Sequence, residues 1–386
     1  MSQAEAVDLG LPHLVLRGTP YERGRRYGQL ARERILRSLA LYRDVFVHRA
    51  GLQWPDAVAR AQRYEPHIAV FAPDCMDEMR GIADGAGVGK GDVLALNARS
   101  ELMFAGTGAA RDIEAMACEC TSFALLPEVT GGRTIVGQNW DWLPFARETA
   151  LVLEVHREHL PSYVTIAEAG HLAKVGFNAA GLGMCTNTLV SSRDFDQSGV
   201  PYHIVLRALL DAETISAATR MVYTAPRAFS ANYLLAHRDG FAINLETTSG
   251  DATGVSATLP DDGVVAHSNH FLSCDFAALD VRVAQHPHSL FRLDAMRRGL
   301  KAGGRRVDLD RVRATLRNHA NEPDAICSHP DVRQNPLERR TTVASVFADL
   351  DAGELWLTAG PPCEEEYRHY PYAQRLASLA RVQAVH

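Results

Sequence analysis

The chain holds 386 residues, 46% of them hydrophobic, enough to bury a large core without disulfide staples. Its formal net charge is −6 and its basic residues are scattered singly. That excludes nucleic acid as the main partner, since phosphate binding needs a concentrated basic face.

Up to residue 119 the pattern is helical. Thr19 as N-cap, with Pro20 behind it, opens a helix predicted from Tyr21 to Tyr42. Further helices are predicted over 54–70, 74–86 and 90–103. Beyond Glu119, short apolar segments alternate with Gly, Asn and Asp turns, the mark of antiparallel hairpins. The first predicted hairpin joins 121–126 to 133–140 around Thr130-Gly131-Gly132. The second spans 175–188, and the third spans 232–246, turning on Asp239-Gly240. The fourth joins 341–347 to 354–358 near Gly353. Helices predicted over 202–224, 289–300 and 309–319 interrupt the strands. The change of character divides the chain into a helical segment, 1–119, and a strand-rich segment, 120–386, folded together as one structural domain. No stretch reaches the ~18 apolar residues of a transmembrane helix, and the opening ten residues hold acids without a secretory pattern, so no membrane is expected.

In an antiparallel hairpin, residues equidistant from the turn face each other. Centring the first turn between Thr130 and Gly131 puts Cys120 opposite Asp141. Asn187, Asn232 and Arg340 stand at the ends of the other hairpins remote from their turns. Stacked strands would therefore gather all five residues at one rim.

Cysteine is a strong nucleophile once it is a thiolate, so Cys120 needs a base. Sixteen histidines are available, but none stands in a papain-like context. The other base is the cysteine's own α-amino group, whose pKa of roughly 7.7–8.0 suits proton shuttling at neutral pH. Using it requires cutting the Glu119–Cys120 bond. The seven cysteines, at 75, 118, 120, 185, 274, 327 and 363, are odd in number and too spread for a disulfide scaffold, which suits a reducing cytoplasm. His267-Ser-Asn-His270 has no third ligand at sensible spacing, so no metal is expected there or elsewhere.

Cys120-Thr121-Ser122-Phe123, followed by Gly137-Gln138-Asn139-Trp140-Asp141-Trp142, resembles the isopenicillin N acyltransferase family. That family belongs to the self-processing N-terminal-nucleophile hydrolases, alongside bile salt hydrolases and penicillin V acylases. Gly18-Thr-Pro-Tyr-Glu-Arg-Gly-Arg-Arg-Tyr-Gly, Gly176-Phe-Asn-Ala-Ala-Gly-Leu-Gly, Ser230-Ala-Asn-Tyr-Leu-Leu-Ala and His267-Ser-Asn-His-Phe-Leu extend the resemblance, in order, over nearly the whole chain. It implies an α+β fold, an αββα sandwich of two antiparallel sheets between helical layers. It also implies a precursor that cuts itself between Glu119 and Cys120 into two chains that stay associated.

Carried over to matching positions, the resemblance makes Cys120 the nucleophile and its freed amine the base. Asp141 would orient that amine, Asn232 would donate to the oxyanion, and Arg340 would lower the thiol pKa and contact substrate. Asn187, Gln138 and His270 are weaker candidates for substrate or oxyanion contacts. Glu119 stands where the acyltransferase has glycine, and Gln138 where bile salt hydrolases have arginine. The implied reaction cleaves or forms the amide of a small molecule through an S-acyl cysteine. It needs no cofactor, although a coenzyme A thioester can serve as acyl donor. The partners are an N-acyl amide, or an amine plus an acyl donor, and the chain's own cleaved N-terminal fragment. No Gly-rich signature is present to hold a coenzyme A tail, which leans towards water as acceptor. The alternatives are an acyl-coenzyme A-dependent N-acyltransferase, a histidine-dependent cysteine peptidase, and an unprocessed ligand-binding scaffold.

Overall fold

Thr19 opens the first helix as its sequence predicts. Its hydroxyl accepts from the Glu22 N–H, and the Glu22 carboxylate accepts from the Thr19 N–H at 2.9 Å, a reciprocal cap. In the computed structural model, which describes residues 6–104, 119–302, 304 and 306–383, the helix is Pro20–Leu30, and Ala31 separates it from Arg32–Ala50. Pro20–Leu30 crosses Pro73–Ala86 at backbone contact. A Cβ on Gly24 would lie 2.0 Å from the Glu78 carbonyl oxygen, and one on Gly81 would lie 2.2 Å from that of Tyr21. Gly24 and Gly81 therefore serve helix packing.

The strands are β1 His13–Leu16, β2 Glu119–Leu125, β3 Ile135–Trp142, β4 Ala150–Val155, β5 Tyr163–Glu168, β6 Val175–Asn178 and β7 Leu182–Thr188. They continue as β8 Ala231–His237, β9 Phe241–Thr247, β10 Val255–Thr258, β11 Val264–His267, β12 Thr341–Asp349, β13 Glu354–Thr358 and β14 Arg368–Tyr370. Two sheets result, an eight-stranded one in the order β1-β4-β5-β6-β7-β8-β9-β10 and a six-stranded one in the order β11-β2-β3-β12-β13-β14. They stack face to face: a Cβ on Gly183 of β7 would lie 2.5 Å from the Val136 side chain of β3. Outside the six-stranded sheet, Leu293, Met296 and Leu300 of helix His288–Lys301 and Val312 and Leu316 of Leu309–Leu316 pack on Phe123, Ile135 and Phe347. Helix Ile215–Thr224 lies against β8 and β9 on the other side. The molecule is thus an αββα sandwich of class α+β. Because β2 and β3 are covered on both faces, they are buried along their whole length.

The four predicted hairpins are present, and the predicted helices form, although 54–70 is broken into Trp54–Ala61 and Glu65–Phe71 around a 3-10 turn and 90–103 into Lys90–Asn97 and Arg99–Phe104. The predicted helix over 202–224 is in fact two, Tyr202–Leu209 and Ile215–Thr224. The sequence pattern missed the β4–β5 hairpin and also β1, β10, β11 and β14. β1 pairs parallel with β4, His13 with Val152 through Leu16 with Val155, so the eight-stranded sheet is not wholly antiparallel. The N-terminal segment is further tied down by Tyr42, whose hydroxyl donates to Glu168 at 2.7 Å and accepts from the Trp142 indole at 2.8 Å. Arg99 pairs with the same Glu168 at 2.8 Å. Among the described residues no helix is long and apolar enough to cross a membrane.

Candidate active site

The β2–β3 ladder runs from Leu125 opposite Ile135 to Glu119 opposite Asp141, so Cys120 faces Trp140. The expected pairing of Cys120 with Asp141 is therefore off by one residue. The cause is the connection, where a helical turn, Pro127–Thr130, is closed by Gly131 at φ +76°. This loop is not symmetric about the assumed centre. A slip of one residue moves a side chain to the other face of a sheet. The predicted cluster consequently splits across the two faces of the same strands.

One face looks into the sandwich. Ser122 donates to the Asn187 Oδ1 at 2.6 Å, and Gln138 Oε1 accepts from the Thr186 N–H at 2.7 Å. Asn187 and Asn232 are directly paired in β7 and β8, and the Asn232 Nδ2 donates to the Asn187 Oδ1 at 3.1 Å. Asn187 in turn donates to the Cys120 carbonyl at 3.0 Å. Cys120 is fully buried, and its neighbour across the sandwich is Cys185, whose thiol is pushed well up by burial and then by Cys120. Among the described residues, Gln138 Nε2 and Asn232 Oδ1 are buried without a hydrogen-bond partner. Such orphans call for an explanation, and unspent polar atoms beside a buried thiol are what a bound polar group can use.

The other face looks towards helix His288–Lys301. Arg292 reaches from that helix to donate to the Cys120 carbonyl and the Thr121 hydroxyl, each at 2.9 Å, and to the Asn269 Oδ1 at 3.1 Å. It also pairs with Glu119, which Arg282 grips at 3.1 Å. Burial opposes the charge of Glu119, but Arg292, His288, Arg282 and Arg340 outweigh it and hold the carboxyl well below the ordinary range. Arg340 itself pairs with Asp324, and burial lowers its pKa against the pull of Glu119.

Asp141 lies on this second face. Its Oδ1 accepts from Thr342 at 2.6 Å, and its Oδ2 has no hydrogen-bond partner among the described residues. Burial, helped by the nearby Glu119, pushes its pKa up to about 7 against the pull of Thr342, Arg292 and Arg340. The folded intact chain therefore holds a proton that the unfolded chain releases near 3.8. The stability from this proton is complete below the unfolded value and is lost as pH rises towards 7. Between pH 5 and 7 Glu119 is ionised in both states, so it adds no slope there. In an uncut Cys120→Ala background, Asp141 should make stability fall with rising pH by up to about 1.4 kcal/mol per pH unit across that window. Urea unfolding of Cys120→Ala and of Cys120→Ala/Asp141→Asn checks this: the second protein should lack that component of the slope.

Asn269, Arg282 and Arg292 were not singled out in the sequence. Asn269 sits inside the His267–Leu272 motif, and its Oδ1 accepts from the Cys120 N–H at 2.7 Å. Its own N–H donates to the Ser289 hydroxyl at 2.8 Å. His270 faces the Ser268 and Ser289 hydroxyls through Nδ1, so it supports Asn269, and burial and the neighbouring His267 push its pKa down to about 4. His267 is taken up by Glu246 at 2.7 Å. Arg292 carried one usable signal, an arginine on the apolar side of a helix otherwise facing inward through Leu293 and Met296. Cys118 lies outside the described residues.

A family model described as acyl-coenzyme A:6-aminopenicillanic acid acyl-transferase matches residues 129–364, well over half of the chain. The chain belongs to this family. The match takes in Asp141, Asn187, Asn232, Asn269, Arg292 and Arg340 of this acyl-transferase family member, and it begins nine residues after Cys120. A relative within the family is the 40 kDa form of acyl-coenzyme A:6-aminopenicillanic-acid-acyltransferase of Emericella nidulans. It is 25% identical over 260 residues, 67% of this chain and 69% of the relative. Solved structures with a similar chain include the N-acylethanolamine-hydrolyzing acid amidase ortholog of Caenorhabditis elegans, at 16% identity and a TM-score of 0.44 over 60% of this chain and 93% of its own. Penicillin V acylase from Agrobacterium tumefaciens matches at 14% identity and a TM-score of 0.41 over 62% of this chain and 83% of its own. The αββα sandwich of this acyl-transferase family member is the fold its resemblance to N-terminal-nucleophile hydrolases implied.

Proposed function

We propose that the chain is a self-processing cysteine amidohydrolase or N-acyltransferase. Cys120 cuts the Glu119–Cys120 bond, becomes N-terminal, and then carries the acyl group of a small-molecule amide as a thioester. The observation that carries this reading is the buried anchorage of the Cys120 amide. The nitrogen that cleavage turns into an amine is already held by Asn269, and the Cys120 carbonyl is held by Asn187 and Arg292. A structural cysteine at the start of a strand needs no such frame.

In self-cleavage the Cys120 sulfur attacks the Glu119 carbonyl carbon, the C–N bond breaks, and the nitrogen takes a proton. Water then hydrolyses the thioester, leaving a Glu119 carboxylate and restoring the thiol. In turnover the new amine takes the thiol proton, sulfur attacks the substrate carbonyl, and the amine product leaves with that proton. Water or an acceptor amine then takes the acyl group, giving an acid or a new amide. Asp141 lies opposite the residue that loses its bond, where its carboxylate can hold the new ammonium. The rise in its pKa should then reverse once a cation stands beside it. Asn232, with one Nδ2–H on Asn187 and a second to offer, is the donor for the tetrahedral oxyanion.

Two measurements test this. Stalled reactions with N-acyl amides should show one acyl mass on the peptide that begins at Cys120, and an acyl group found only elsewhere would overturn the reading. Asn232→Ala, once processed, should lose on the order of 10²–10³ in kcat with a smaller change in KM, because its bond matters most in the transition state. Wild-type turnover in that variant would remove Asn232 from the mechanism. Measuring acid against new amide over a series of amines then says which acceptor the site favours.

A further inference from the structure

On the face of the sandwich that carries Asp141, two loops bring together four side chains outside the machinery described so far. His319 and the pair Cys327 and His329 come from the segment between helix Leu309–Leu316 and β12, and Cys363 comes from the loop after β13. The ligand-capable atoms of all four lie within 4.8 Å of one another. The Cys327 and Cys363 sulfurs are 3.5 Å apart. His329 Nε2 lies 3.7 Å from the Cys327 sulfur, 3.2 Å from that of Cys363 and 3.2 Å from His319 Nε2.

We propose that His319, Cys327, His329 and Cys363 bind one zinc ion as a structural site. Tetrahedral zinc, with bonds of ~2.3 Å to sulfur and ~2.0–2.1 Å to nitrogen, separates its ligand atoms by about 3.3–3.8 Å. Four of the six spacings, at 3.2–3.7 Å, lie close to that shell, and the two from His319 to the sulfurs are within 4.8 Å. Two thiols and two imidazoles are a zinc donor set, and a disulfide is not what the geometry holds, since bonded sulfurs sit ~2.05 Å apart. The outer contact also fits. His329 Nδ1 faces the Glu364 carboxylate at 3.2 Å, the carboxylate–histidine arrangement that fixes the ring and leaves Nε2 for a metal. Binding would release the two thiol protons, so affinity falls at low pH. A second cluster, Glu119, His286 and His288, carries no such reading, because Arg282 and Arg292 already neutralise Glu119 and repel a cation.

The site bears on the catalytic face through its neighbours in sequence. The carbonyl of Ile326 accepts from Asn139 on β3 at 2.9 Å. Ser328 exchanges hydrogen bonds with Thr342, whose hydroxyl holds Asp141. Asp324 pairs with Arg340. Zinc would clamp this segment to the loop carrying Cys363 and so fix the supports of Asp141 and Arg340.

The test is metal content. Full-length protein purified under reducing conditions with zinc present should retain about one zinc per chain through buffer exchange. Cys363→Ser, at an exposed position, should fold and lose that zinc, and Glu364→Gln should weaken zinc binding by about 10–100-fold. Cobalt loaded in place of zinc should show the sulfur-to-metal charge-transfer bands of two thiolates and the d–d bands of a tetrahedral site. Protein that stays zinc-free in excess zinc with both thiols titratable would overturn the proposal. So would a Cys327–Cys363 disulfide in the native peptide map, or undiminished zinc in Cys363→Ser.

Discussion

Purified wild-type protein is expected to run on a denaturing gel as two polypeptides, 1–119 and 120–386, and Cys120→Ala as one. The larger fragment should begin Cys-Thr-Ser-Phe. No other group substitutes for the sulfur, because the peptide carbonyl to be attacked belongs to the residue joined to Cys120, and an alanine methyl has no lone pair. Residual cleavage should be undetectable on the timescale of purification, since uncatalysed amide hydrolysis lies many orders of magnitude below enzymatic rates. Cys120→Ser is the informative intermediate, with a weaker nucleophile of nearly the same shape, and should process slowly. Efficient cutting in Cys120→Ala, or a large fragment beginning elsewhere, would end the N-terminal-nucleophile reading and return the intact scaffold to consideration.

The second large effect is expected at Glu119. A bulky acid before the scissile bond looks like a hindrance in the sequence, because glycine twists more cheaply. In the fold this carboxylate is the anion that Arg292 and Arg282 share, in a site where both guanidinium groups are buried. Replacing it with alanine in the uncut Cys120→Ala background removes the anion that two buried guanidinium groups share and should cost about 3–5 kcal/mol, read from urea unfolding. In the Cys120 protein, Glu119→Gly should process more slowly than wild type in spite of its freer backbone. The clamp fixes the scissile carbonyl relative to the sulfur, and misplacing a reacting atom by about 1 Å costs on the order of 10² in rate. Faster processing in Glu119→Gly would show that backbone ease outweighs anchorage. Unchanged stability in the alanine variant would show that the arginines find other partners.

Much of this arrangement was legible because turns and caps are local. The Thr19 cap, the Asp239-Gly240 turn and the Gly353 turn each mark an element from a few adjacent residues, and hairpin arithmetic then put Asn187 and Asn232 at strand ends remote from their turns, where the fold pairs them. The same arithmetic failed by one at Cys120, because the Pro127–Thr130 helical turn hides an asymmetric loop that composition does not reveal. Arg292 stood out only by lying on the apolar side of its helix, and Arg282 could not be told from a surface arginine, since the charge that neutralises it comes from a residue 163 positions away. The Cys/His cluster escaped for a similar reason. Its members fall at 319, 327, 329 and 363, a spacing that no short motif shares, and only the return of β13 brings Cys363 back.

The parallel seam between β1 and β4 has a consequence for molecularity. Cutting at 119–120 leaves β1 in one polypeptide and β4 in the other, together with Tyr42 on one side and Glu168 and Trp142 on the other. Unfolding, a one-body event in the intact chain, becomes a dissociation that yields two molecules from one. The melting point of the cut protein then climbs with its concentration, as it does for any obligate complex. Refolding becomes a diffusional search between strangers rather than the closing of a loop. The proposed cleavage of a single bond would thus turn the folded state from something the sequence can find again into something it can only keep.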